Sequence, residues 1–146
     1  MFRQGAVIHG VIVYFGAAGF DHNHGSDEMK YVDGFVLPVP KKNLAAYKRL
    51  AAKASKIWRK LGALEYRECI GDDLNIKGMM PFPKMAKVKP GETVVFAWIV
   101  YKSKAHRNQV NAKIMKDPQI HKMCSQPMPF DCKRMACGGF KVVVES

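Results

Sequence analysis

Two carboxylates stand on otherwise apolar, strand-like stretches: Asp33 in "KYVDGFVLPV" and Glu68 in "ALEYRECI". A carboxyl group among apolar neighbours is costly unless it is paired or used. Two carboxyls in unlike environments can divide acid and base roles between them. If Asp33 and Glu68 point together into the interior of a barrel closed by two sheets, they could act as such a pair on a small hydrophobic substrate. Tyr31, Phe35, Tyr66, Arg67 and Trp98 are the candidate lining. The alternative is that Asp33 or Glu68 pairs with Arg67 or a lysine at the barrel rim. Alternation groups Tyr31 with Asp33 and Phe35, and Tyr66 with Glu68 against Glu65 with Arg67, without saying which set faces inward.

His106, in "SKAHRNQV", is the third candidate. It shares a helical stripe with Val110 and Ile114 and so faces the sheet. It reads either as a hydrogen-bonded residue seating a helix start or as a general base. Arg107 and Asn111, one turn apart on a neighbouring face, could meet an anion or a second subunit. Cys69, Cys124, Cys132 and Cys137 form no Cys-x-x-Cys pair, so no metal site is expected, and no cofactor fingerprint is visible. Gly138–Gly139 lies in a strand rather than before a helix, where a phosphate loop would be. The pair is expected to admit a neighbouring backbone or a bulky side chain.

The chain carries 24 Lys and Arg against 12 Asp and Glu, a net +12, which favours anionic partners or simple solubility. Residues 41–60 hold eight basic side chains and no acid. Lys48, Lys53, Lys56, Arg59 and Lys60, with Arg107, are the anion-binding candidates, and RNA is the alternative partner they imply. A charged outer helix face is otherwise just solvated. Trp58, Tyr66 and Trp98 fall on apolar stripes, which assigns them to core rather than to base stacking.

Elements that must position these residues follow from periodicity. Tyr, Val and Phe through residues 30–40, closed by Pro38 and Pro40, read as a strand. Leu44, Tyr47, Leu50, Ala51, Ala54, Ile57, Trp58 and Leu61 then recur at helical spacing, with Asn43 as N-cap and Gly62 as terminator. Residues 63–70 alternate as a strand, and residues 71–91 read as a lid or irregular connection. "TVVFAWIVY", residues 93–101, is apolar at both parities and reads as a strand buried on both faces. Ser103 caps a second helix, which Asp117 and Pro118 stop. A loop-rich stretch to Lys133 and a last strand in "RMACGGFKVVVE" complete the order.

That order, βαββαβ, is the ferredoxin-like α+β arrangement: a four-stranded antiparallel sheet with two helices on one face. The other face would be wet in a monomer, although the 93–101 strand offers it large apolar groups. A second copy is the expected cover, giving a homodimeric α+β barrel. The predicted domain spans residues 29–146. Residues 1–28 are expected to be an N-terminal extension, disordered or from an upstream start, with His22 and His24 in a polar linker. No membrane span is expected, and the cysteines are read as reduced thiols in the cytoplasm.

"YVDGFVLPVPKKNL", "GALEYREC", "PGETVVFAWIVYKSKAHRNQVNAKIMKDP" and "MPFDCKRMACGGFKV" together resemble the YbaA-like proteins, a bacterial family of unknown function. The likeness runs from about Met29 to Glu145. It implies a dimeric α+β barrel. By analogy with that superfamily it also implies a small-molecule pocket inside each barrel, for binding or for cofactor-free isomerase- or oxygenase-type chemistry. Cys132, Cys137 and the methionine-rich "NIKGMMPFPKMAK" depart from the family pattern.

Overall fold

The computed structural model describes residues 29–146. The expectations for residues 1–28, including His22 and His24, lie outside the described residues. Four strands, β1 (Tyr31–Pro40), β2 (Glu65–Ile70), β3 (Glu92–Tyr101) and β4 (Ala136–Lys141), form one sheet in the order β2-β3-β1-β4. All neighbours are antiparallel. With α1 (Leu44–Leu61) after β1 and α3 (Lys104–Met115) after β3, the chain has the βαββαβ order and the ferredoxin-like α+β fold.

The apolar stripe of α1 does what its spacing predicts: Tyr47, Ala51, Ala54, Ile57 and Trp58 are buried. At its end Gly62 adopts φ +126°, a conformation costly for any residue with a Cβ, and its N–H closes on the last carbonyls. Asn43 stands at the expected N-cap position, but its side chain makes no capping bond. Its amide instead donates to the Pro129 carbonyl at 3.0 Å, tying a distant segment to the helix start. Ser103 does cap α3, its hydroxyl accepting from the His106 N–H at 3.1 Å. Val110 and Ile114 of α3 pack with Ile99 and Tyr101 of β3 and with Trp58. Burial of each large apolar side chain there contributes roughly 1.5–3 kcal/mol.

Two stretches read as loop contain helix. Asp117 ends α3 but also opens α4 (Pro118–Cys124), accepting from the Gln119 and Ile120 N–H groups at 2.8 and 3.2 Å. Pro118 sits at the first helical position, where its missing donor costs nothing. The 71–91 connection holds a single turn, α2 (Phe82–Met85).

Register assigns every strand residue to a face. Toward the helices point Tyr31, Asp33, Phe35 and Leu37 of β1, Tyr66 and Glu68 of β2, and Val95, Ala97, Ile99 and Tyr101 of β3. The opposite face carries Val32, Val36, Phe96, Trp98, Val100 and Phe140. Among the described residues strand β3 is therefore not buried on both sides: Val95 is inaccessible, whereas Phe96 is 45% exposed. Gly34 and Gly138 leave room on the open face for the Phe140 ring, and Gly139 leaves room on the other for Tyr31. That is the close approach expected of the glycine pair.

Candidate functional site

Between the sheet and the helices lies a cavity of about 80 Å³. That is several times the ~10–15 Å³ a water molecule needs and about half the ~150 Å³ that holds benzene. Phe35 and Leu37 of β1, Ala97 and Ile99 of β3, and Tyr47, Ala51, Ala54 and Trp58 of α1 make its floor and one wall. The 123–135 segment closes it with Met123, Cys124, Met128, Phe130 and Met135. This wall is pinned by the Asn43–Pro129 bond and by Arg134, which grips Glu92 through two contacts of 2.6 and 2.9 Å.

Glu68 is the carboxylate in a lining that is apolar apart from Arg67 and the Tyr47 and Tyr66 hydroxyls. Its Oε2 accepts from the Tyr47 hydroxyl at 2.7 Å and its Oε1 from the Tyr66 hydroxyl at 2.9 Å. Burial lifts the Glu68 carboxyl above the ordinary glutamate range, and the two phenol bonds hold it back only in part. Burial and the neighbouring Glu68 charge push both phenols upward, so they remain proton donors. Phe130 lies edge-on to Tyr47 at 5.6 Å, and Trp58 stands 6.1 Å from Tyr66. An ionisable group with satisfied oxygens in a pocket of apolar walls can bind one polar group of a small ligand and can move a proton.

Asp33 points to the same face but belongs to another cluster. Its row on the sheet holds Ile99 and Tyr66, and Glu68 lies two strands away, about 10 Å by strand spacing. Arg107 approaches it at 3.7 Å, donates to the Tyr31 hydroxyl at 3.3 Å and stacks 4.9 Å over the Tyr31 ring. Asn111 and Tyr101 complete the cluster, their side chains 3.3 Å apart. Burial raises the Asp33 carboxyl while Arg107 pulls it down. Asp33 and Glu68 thus share a face without sharing a site, and that face is covered by the helices, so the cavity lies between sheet and helices and not inside a two-sheet barrel as expected. Neither takes the rim partner offered in the alternative reading, since Arg67 borders the cavity but turns its guanidinium to Glu65 at 2.7 Å.

Other candidates fall elsewhere. Phe35 and Tyr66 line the cavity; Tyr31, Trp98, His106 and Arg107 do not. His106 seats the start of α3: its Nδ1 accepts from the Lys102 N–H at 3.1 Å, and its ring meets Tyr101 edge-on. Burial, then Lys102 and Lys113, lower its pKa, which keeps the acceptor nitrogen free of its proton. Lys48, Lys53, Lys56, Arg59 and Lys60 are exposed along α1, and Arg59 caps the helix end through the Ala63 carbonyl at 2.9 Å. The exposed rings Phe96 and Phe140 lie on the far side of the sheet, so among the described residues these cations have no stacking platform beside them. Among the described residues no group of His, Cys, Asp and Glu is arranged to hold a metal ion, and no helix is long and apolar enough to cross a membrane.

Sequence reasoning passed over Tyr47 and the 123–135 wall. Tyr47 was legible as part of the α1 stripe, but its partnership with Glu68 depends on which parity of β2 faces the helices. The wall carries no periodic signal.

Residues 30–132 match the model of a family described as a protein of unknown function, DUF1428. The chain belongs to that family. Over 117 residues it is 43% identical to the uncharacterised protein YbaA of Escherichia coli K12, spanning 80% of this chain and 99% of that protein. YbaA of Shigella flexneri is equally similar. Among solved structures, a dimeric ferredoxin-like protein from an uncultured marine organism superposes with a TM-score of 0.50 at 12% identity. It covers 82% of this chain and all of its own, and shows the shared fold.

Proposed function

We propose that this family member binds a small, largely apolar carbonyl compound in the cavity between sheet and helices and moves a proton on it through Glu68. The observation that carries the reading is a carboxylate held by two phenols inside an apolar cavity of about 80 Å³. That volume suits a ligand of a few heavy atoms; a larger one requires the 123–135 wall to shift. The chemistry is of the cofactor-free isomerase type. The Glu68 carboxylate takes a proton from the carbon beside the carbonyl, the electron pair moves onto the carbonyl oxygen, and the proton returns to carbon. A raised pKa brings the carboxyl nearer to neutrality, where a base both accepts and releases protons.

The working form in this reading is a homodimer in the cytoplasm, with residues 29–146 as its single domain. Support for the dimer is the apolar open face, on which Phe96 is 45% and Phe140 63% exposed, and the dimeric state of the marine structural neighbour. Incubating the protein with small ketones in deuterated buffer tests the chemistry. Deuterium should enter the carbon beside the carbonyl faster than in buffer alone, and Glu68→Gln should abolish the excess. Exchange no faster than in buffer across the panel would remove the catalytic reading.

A further inference from the structure

One side of the cavity is built differently from the rest. Outside residues 123–135, every lining residue sits on β1, β2, β3 or α1, where the backbone is bonded into ladder or helix. Met128 and Phe130 stand instead in the irregular stretch after α4. Among the described residues, no backbone–backbone hydrogen bond joins residues 127–134 to another element. Their polar ties to the fold are two side chains. The Asn43 amide donates to the Pro129 carbonyl at 3.0 Å. Arg134 donates to Glu92 at 2.6 and 2.9 Å and to the Lys87 carbonyl at 2.8 Å. Both ties stand beside lining residues: Pro129 lies between Met128 and Phe130, and Arg134 precedes Met135. The remaining hold is apolar. Phe130 and Met135 pack against the cluster of Leu37, Val39 and Tyr47, and Met128 against that of Trp58 and Ile99. An apolar ligand can replace such contacts. It cannot replace the two ties.

We infer that residues 126–135 are a flap over the cavity, that Asn43 and Arg134 are its latches, and that these two residues determine the size of ketone admitted. The flap's ends stay fixed, since Ile120 and Cys124 are buried in the core before it and β4 pairs with β1 after it. Its last part moves as a unit, because the Asp131 side chain accepts from the Lys133 N–H at 3.0 Å and the Asp131 carbonyl from the Arg134 N–H at 3.1 Å. Closed, the flap leaves about 80 Å³, and a small ketone fits behind it. A bulkier one binds only the open form, so its apparent affinity scales with the open fraction. Closure also seats the base: Phe130 meets edge-on the Tyr47 ring whose hydroxyl holds Glu68.

This rests on the ligand cavity of the proposed function, and a readout without ligand keeps the two apart. Cys124 lines the cavity and is 6% exposed. With Cys69→Ser, Cys132→Ser and Cys137→Ser it is the chain's one thiol, and N-ethylmaleimide labelling reports opening. Arg134→Gln should speed labelling about tenfold and Asn43→Ala about fivefold, as befits a charge-assisted and a neutral hydrogen bond. Titration followed on the Trp58 indole signal should then show cyclohexanone binding about tenfold tighter to Arg134→Gln, with butanone unchanged within about twofold. A general loosening of the fold would weaken both ketones together and overturn the inference. Labelling unmoved by Arg134→Gln would overturn it whatever the ketones do, as would an unchanged preference between two ketones that bind. Faster labelling beside ketones that never move Trp58 would overturn the ketone reading and leave the flap.

Discussion

The two faces of this sheet receive residues from the same strands, yet they solve opposite problems. On the helix side the polar groups are few, buried and held: Glu68 by two phenols, Asp33 beside Arg107 and Asn111. On the open side the groups are mostly apolar beside the Glu65–Arg67 pair, and among the described residues Phe96 and Phe140 stay largely exposed while Trp98 is half-buried. Adjacent residues of β3 mark the contrast, with Val95 inaccessible and Phe96 half wet. A polar atom placed on the inner face demands a partner or a use. Apolar area left on the outer face demands another surface. In the proposed reading, chemistry and assembly are thereby separated by the thickness of one sheet.

Substitutions that strike one face should leave the other's property intact. The largest effect is expected from Ile114→Ala, which empties a fully buried site under α3. It should cost about 2–5 kcal/mol in urea unfolding, while the dimer constant of the folded protein stays the same. Trp98→Glu acts in reverse. It should weaken self-association by a factor corresponding to about 2 kcal/mol in sedimentation and leave deuterium exchange on a bound ketone unchanged. Glycine replacements sharpen the comparison further. A Cβ on Gly139 would collide with the Tyr31 ring and hydroxyl against the helix layer, so Gly139→Ala should cost about 1–3 kcal/mol. A Cβ on Gly34 meets only the exposed Phe140 ring at 3.3 Å, and Gly34→Ala should cost well under half as much.

The smallest effect is on pH dependence. Burial raises the folded-state pKa of Glu68 and Asp33 above their ordinary values of 4.5 and 3.8, so the folded chain holds these protons more tightly than the unfolded one. Their contribution to stability is complete below those values and is lost as pH rises through the raised ones. Glu92, lowered by its bonds from Arg134, has the opposite sign: its contribution is lost as pH falls below 4.5. Glu68→Gln should therefore flatten the decline in urea midpoint above pH 4.5 without altering the loss at more acid pH. Parallel curves for the variant and the wild type would show that Glu68 is not buried as described.

Most of the fold was legible because each long element has one apolar periodicity. Tyr47 to Trp58 at helical spacing, and the run from Thr93 to Tyr101, leave little choice of element type. What escaped was set by contacts between distant residues. Pro118 reads equally as a stop and as a first helical residue, and only the Asp117 side chain capping Gln119 and Ile120 decides between them. Asn43 offered a cap but is spent on Pro129. The parity of β2, and with it the choice between Glu68 and Glu65 as the cavity carboxylate, depends on pairing with β3. The sequence placed Glu68 among the candidates; its tyrosine partners and the methionine wall emerge only when α1 and the 123–135 segment meet over the sheet.

The chain's two tryptophans report separately on the two faces: Trp58 lines the cavity and Trp98 stands on the open side. Following both indole N–H signals by NMR, during titration with a small ketone and then during dilution, tests the separation directly. The ketone should shift the Trp58 signal and leave Trp98 in place, and dilution should do the reverse. A ketone that leaves Trp58 unmoved, or moves both signals together, would contradict a ligand cavity set apart from the assembly face.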